Sequence, residues 1–148
     1  MIHTALDKLT LQTMKSALAA LDEMRSDPKL KSYGVTEIVV SETLRELPVQ
    51  MAYFSRSRMS VDNVQAMYAA AGLYAIKPDE ANRVATWTLE SRHLKGEALD
   101  IVPYRNGKAW WNAPAVVWER MGEIGERHGL ELGGRWKNKD CPHFEVAK

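Results

Sequence analysis

A carboxylate in the middle of an apolar run constrains this chain more than any other feature. Asp100 stands inside Ala98-Leu99-Asp100-Ile101-Val102, which reads as a core strand stopped by Pro103. A carboxylate in such a strand is costly unless it is paired, hydrogen-bonded or bound to a cation. Any fold of this chain must therefore bring a partner to residue 100. Strand alternation puts Ala98, Asp100 and Val102 on one face. Gly96 permits a tight reversal just upstream, through which His93 can fold back toward Asp100. His143 and Glu145 share a face of a short final strand over 143–146. If that strand lies beside the first, His143 reaches the same point. Two imidazoles and one carboxylate make a catalytic zinc set, which leaves a position open for water. Spacing alone keeps the alternatives open. A lone histidine is more often structural or superficial, and a lone aspartate in a strand can bond to neighbouring backbone.

The remaining periodicities frame these two segments. Leu6, Leu9, Met14, Leu18, Leu21 and Met24 predict an amphipathic helix over 5–26, ended by Asp27-Pro28. Thr36 to Ser41 is β-branched and predicts a strand. Pro48 suits the first turn of a helix over 48–57. Ser60 is an N-cap for another, which Gly72 closes. Thr86 to Leu89 reads as extended. Asn112 and Pro114 start a helix ended by Gly129, with Val117, Met121 and Ile124 on its buried stripe, and Gly133-Gly134 is a turn. Helices come mostly first, strands mostly later, and no βαβ rhythm appears. That order predicts an α+β domain, a small antiparallel sheet flanked by helices.

Charge and cysteine content exclude several classes. The formal net charge of +1 argues against a nucleic-acid partner held by bulk electrostatics. Cys141 is the one cysteine, so no internal disulfide forms, which is compatible with a reducing cytosol. No window is long and apolar enough for stable membrane insertion. The N-terminus lacks the basic, apolar and small-residue pattern of a signal peptide, so no self-export is expected.

The order of the motifs narrows the reading. Ser91-Arg92-His93-Leu94-Lys95-Gly96-Glu97-Ala98-Leu99-Asp100 matches a Ser-x-His-x-x-Gly-x-Ala-x-Asp signature, and His143-Phe144-Glu145 supplies a following His-x-Glu. Together they resemble the LAS-type zinc metallopeptidases. That group holds D-alanyl-D-alanine carboxypeptidases and dipeptidases and phage L-alanyl-D-glutamate endopeptidases, on the hedgehog/DD-peptidase fold. Trp87 to His93, Leu130 to Trp136, and Thr43-Leu44-Arg45 with Gln50 and Tyr53 to Arg58 extend the likeness, which covers about residues 36–146.

The resemblance implies that His93, Asp100 and His143 bind one Zn2+ per chain. It implies that Asp140, three residues before the last ligand, is the catalytic carboxylate. Arg45 is implied to hold a substrate carbonyl or carboxylate, although Glu46-Leu47-Pro48 departs from the commoner Pro or Ser after that arginine. Ser91, Glu145 and Gln50 are expected to orient ligands or meet substrate. The chain is then a single zinc peptidase domain, with an N-terminal helix over 5–26 and a catalytic core over 36–146. The implied activity is peptidoglycan hydrolysis by a phage or prophage endolysin that cuts the L-alanyl-D-glutamate bond of the stem peptide. A D-alanyl-D-alanine carboxypeptidase or dipeptidase is the alternative, and an inert zinc-binding or phage-tail structural module is the second. An endolysin of this kind is expected to be a monomer, made in the host cytoplasm and released to the periplasm and cell wall with a holin's help.

Other polar and aromatic residues have plainer readings. Cys141 lies two positions before a ligand, but the family does not use that position. His128 precedes Gly129, where a cation suits a helix C-terminus. His3 reads as an exposed terminal residue. One of Trp110 and Trp111 should pack and the other stay exposed. Arg56, Arg58, Arg92 and Lys95 are either attractors of anionic stem-peptide carboxylates or a solvated face.

Overall fold

In the computed structural model, residues 1–137 and 139–147 are described. Helix α1 spans Leu11–Ser26 and starts later than the apolar periodicity predicts. Leu6–Lys8 is a separate 3-10 turn, and Thr10 caps α1 by accepting the Thr13 N–H at 3.3 Å. The buried stripe is also offset from the predicted one. Thr13, Ala17, Ala20, Leu21 and Met24 face inward, while Leu18 is exposed. Asp27 ends α1 and caps α2 (Pro28–Ser32), whose first turn holds Pro28.

Strand β1 (Glu37–Glu42) leads to α3 (Leu47–Ser55), with Pro48 in its first turn. Ser60 caps α4 (Val61–Ala70), and Gly72 follows it in the left-handed region, as the sequence predicts. A short α5 (Pro78–Ala81) follows, which the periodicity does not predict. Thr86 to Leu89 forms no strand; it runs as a loop whose Thr88 carbonyl accepts from Gln50.

Strand β2 (Ala98–Arg105) runs through Pro103 instead of stopping there. The Pro103 carbonyl accepts from Trp110, on the side away from β1, so its missing N–H also faces away from the β1 ladder. Strand β3 (Lys108–Ala109) closes a hairpin on this end of β2. Helix α6 (Ala115–Arg127) buries Val117, Met121 and Ile124 as predicted, and β4 (Leu130–Leu132) and β5 (His143–Val146) follow. The sheet order is β1-β2-β5-β4, antiparallel throughout. This is the expected α+β arrangement.

Register divides the sheet into two functional faces. Leu99 pairs with Phe144, which pairs with Leu132, and all three are buried in the main core with α1 and α6. Directly opposed residues point to the same face, so the pairs Ala98 with Glu145 and Asp100 with His143 lie on the other one. A second, smaller cluster of Ala52, Val64, Tyr68, Ile76 and Ala81 joins α3, α4 and α5. Trp111 is exposed and Trp110 packs against the main core. His3 is not merely a surface residue. Its carbonyl accepts the Thr43 N–H at 2.7 Å, and its ring lies 3.1 Å from Glu46.

Candidate metal centre

Three segments deliver His93, Asp100 and His143 to one place. Ser91 caps a 3-10 turn over Arg92–Lys95 by accepting the His93 N–H at 3.3 Å. Gly96 ends that turn at φ 67°, where a Cβ would stand 3.0 Å from the Lys8 carbonyl. This reversal lays His93 against Asp100, while the β2–β5 register sets His143 opposite the same residue. One ligand atom from each of the three residues lies within 4.8 Å of the others.

The hydrogen bonds decide which ring nitrogens remain available. His93 Nδ1 lies 2.7 Å from the Thr43 carbonyl, which can only accept, so Nδ1 carries the proton. Nε2 is left facing Asp100 Oδ1 at 3.1 Å. His143 Nε2 donates to Glu145 Oε1 at 2.9 Å, which turns Nδ1 toward Asp100 Oδ1 at 3.7 Å. Lone pairs on two imidazoles thus converge on a carboxylate, an arrangement that requires a proton or a metal cation between them. Two neutral imidazoles, one carboxylate and a hydrogen-bonded partner behind each ring fit a divalent metal of the zinc type.

Behind the rings, Arg92 Nη1 donates to Glu145 Oε2 at 3.0 Å and its other nitrogens bind Glu97. The His143 hydrogen bond, and then Arg92, hold the Glu145 carboxyl below its ordinary pKa despite burial. Burial works against the Asp100 charge, and the nearby Arg45 guanidinium favours it. Asp140 lies beside the centre, with Oδ2 3.9 Å from His143 Nδ1. Gly133 holds the Asp140 loop close. Its carbonyl accepts the Asp140 N–H at 3.0 Å, and a Cβ on Gly133 would collide with the Asp140 carbonyl at 2.6 Å. Desolvation and the Asp100 charge push the Asp140 carboxyl above the usual aspartate value.

The structure adds a residue that periodicity misses. Val40 pairs with Ile101 and Glu42 with Asp100, so Ser41 is an extra residue in a bulge. The bulge turns the Glu42 side chain to the face of Asp100. There Arg45 binds Glu42 through Nε at 3.1 Å and through Nη2, and Arg45 Nη1 donates to Gln50 at 2.8 Å. Arg45 Nη2 is 3.9 Å from Asp100 Oδ2, and the guanidinium stacks 4.7 Å above Tyr53. Buried Gln50 in turn donates to the Thr88 carbonyl at 2.7 Å, so it ties Arg45 to the loop over 82–90. An acid three residues before an arginine at a strand end is the one sequence signal that could have pointed to Glu42.

These groups open into a cleft of about 480 Å³, lined by Arg45, Asp100, Asp140, His143 and Trp136 among others. Trp136 packs against His143 with ring centroids 4.9 Å apart. Cys141 stays outside the ligand cluster, and His128 is bound to Glu23 at 2.8 Å. Arg58 stacks on Phe54 at 3.9 Å, and Lys95 is exposed.

An antiparallel sheet flanked by helices thus carries a His-Asp-His set on one of its faces. Three solved structures share the fold. Serratia marcescens L-Ala D-Glu endopeptidase ChiX matches with a TM-score of 0.57 and 24% identity, over 99% of this chain and 90% of that one. The vancomycin-resistance D,D-pentapeptidase VanY, solved with Zn(II), matches at 0.53 and 16%, over 95% and 73%. The LdcB LD-carboxypeptidase matches at 0.52 and 15%, over 94% and 59%. In sequence, residues 84–146 match the family model described as D-alanyl-D-alanine carboxypeptidase. The L-alanyl-D-glutamate peptidase of Escherichia phage T5 is 31% identical over 64 residues, 40% of this chain and 47% of the phage protein. The match thus spans about half the length of that relative.

Proposed function

We propose that the chain is a zinc-dependent peptidoglycan peptidase that hydrolyses the L-alanyl-D-glutamate bond of the stem peptide, as a phage or prophage endolysin. The observation that carries this reading is the convergence of His93 Nε2, Asp100 and His143 Nδ1, with the opposite nitrogen of each ring already bonded. One zinc ion per chain, bound there, would polarise the scissile carbonyl and acidify water. Asp140, in the cleft beside His143, takes the proton of the attacking water and passes it to the leaving amine. Arg45 makes three hydrogen bonds out of five donors, so N–H groups remain for charge developing on the carbonyl oxygen. The similarity to the phage T5 and Serratia enzymes supports the choice of bond. The chain acts as a monomer, and no described helix is long and apolar enough to cross a membrane. As such an endolysin it reaches the wall with a holin's help.

The family description favours a second reading, removal of terminal D-alanine. Mass spectrometry of purified peptidoglycan digested by the zinc-loaded protein separates the two. Stem peptides freed with N-terminal D-glutamate are expected. Loss of D-alanine alone would establish the second reading, and intact material in both respects would sink both.

The ring partner of His143 gives a direct test of the metal assignment. Glu145→Gln weakens the acceptor that fixes His143 and should lower zinc affinity about ten- to a hundredfold. Competition with a chromophoric chelator measures it. Unchanged affinity would remove His143, or its assigned tautomer, from the ligand set.

A further inference from the structure

Three arginines line the cleft, Arg45, Arg56 and Arg92. Two of them are neutralised within the protein. Arg45 hydrogen-bonds the Glu42 carboxylate, and Arg92 hydrogen-bonds those of Glu97 and Glu145. Arg56 differs. Its Nε donates to the Glu80 carbonyl at 3.1 Å, which fixes the guanidinium plane. Its nearest carboxylate, that of Glu80, stands 3.7 Å from Nη1, too far for a hydrogen bond. The same Glu80 oxygen already accepts from the Tyr74 hydroxyl, another cleft residue. Within the described residues, no carboxylate is hydrogen-bonded to either Nη group of Arg56, which has the Tyr68 hydroxyl beside it, although the side chain is only 14% exposed. A guanidinium held rigid, largely desolvated and without a bonded anion is a fork preset for a carboxylate.

Its place in the cleft says which part of a ligand it would meet. Arg45 bridges Asp100 and the Tyr53 ring, Tyr53 contacts Tyr68, and Tyr68 contacts Tyr74. Arg56 shares Glu80 with Tyr74, so it lies on the Tyr74 side of the cleft, beyond Arg45 and Tyr53 along this wall. We propose that Arg56 is a specificity-determining residue, binding a carboxylate of the acidic stem peptide at a distance from the scissile bond. This rests on the peptidoglycan peptidase reading. It distinguishes Arg56 from Arg92, which holds Glu145, and from Arg58, which lies on Phe54.

The test compares synthetic stem peptides amidated at one carboxylate at a time with the fully acidic parent. Zinc-loaded wild type should cleave one amidated peptide on the order of ten- to a hundredfold less efficiently than the parent, through KM rather than kcat. Arg56→Gln should lose that discrimination, and Arg56→Lys, which keeps the charge, should recover part of it. A role confined to anchoring Glu80 would lower thermal stability in Arg56→Gln while the preference among peptides persisted, and that result overturns the proposal. If wild type cleaves none of the peptides, the hydrolase reading fails separately. Titration of the uncleaved peptides then decides the point: tighter binding of the parent, abolished in Arg56→Gln, upholds the carboxylate site, and equal binding of all peptides overturns it.

Discussion

Asp140→Ala should hold zinc as tightly as the wild type and turn over substrate on the order of 10²- to 10⁴-fold more slowly. The two halves of that expectation have different structural grounds. Zinc retention follows from position: Asp140 Oδ2 is 3.9 Å from His143 Nδ1, and the ring partners Thr43 and Glu145 lie elsewhere. Loss of turnover follows from chemistry. A proton must leave the attacking water and reach the leaving amine, and Asp140 is the carboxylate beside the centre whose pKa desolvation and the Asp100 charge push upward, toward the working pH. Asp140→Glu should restore part of the rate, since the acid is kept and only its reach changes. Zinc content by atomic absorption and muropeptide release on the same preparations give both readouts. Full zinc with near-normal release from Asp140→Ala would move the base to another residue.

The parts of the site that follow a period are legible before folding. Residues 98–102 and 143–146 alternate as strands, and pairing them with Asp100 opposite His143 satisfies the buried carboxylate. Gly96 is legible as a reversal because the left-handed φ there favours glycine. Asp140 is different, for it sits in a loop between Trp136 and His143 with no period, and only the likeness to a family singles it out. Glu42 escapes because strict alternation along β1 would set Ser41, not Glu42, opposite Asp100, and a bulge leaves no pattern in the sequence. The same limit explains the elements around the site. The apolar spacing through Leu6 and Leu9 continues across a cap at Thr10, so the helix looks longer than α1 is. Pro103 looks like a stop because its tolerance depends on which side of β2 its missing N–H faces, and β5, which begins at His143 opposite Asp100, does not reach it there.

Glu42→Ala should destabilise the fold by about 3–5 kcal/mol, read from the urea midpoint, because it strands a buried guanidinium. Glu42 and Arg45 are each less than a tenth exposed. Burial works against the Arg45 charge, and the Glu42 hydrogen bond and charge, with Asp100 behind them, more than offset it. Removing Glu42 leaves Gln50 as the remaining hydrogen-bonded side chain, a neutral one, and Asp100 at 3.9 Å. Asp100 would then be drawn toward Arg45 and away from His93 and His143, so metal affinity should fall as well. The double variant Glu42→Leu with Arg45→Met tests why the pair exists. Replacing both charges by apolar groups of similar size is often neutral or stabilising by about 1–4 kcal/mol. That variant should therefore fold as well as the wild type yet lose on the order of a hundredfold in rate, as expected for removal of one donor to the developing oxyanion. A stable double variant with full activity would make the pair a packing device. A cost below about 1 kcal/mol for Glu42→Ala would mean that water reaches Arg45. The expected pattern, stability recovered and activity lost, assigns the ion pair to catalysis, with Glu42 as the residue that makes a charged Arg45 tolerable in the cleft floor.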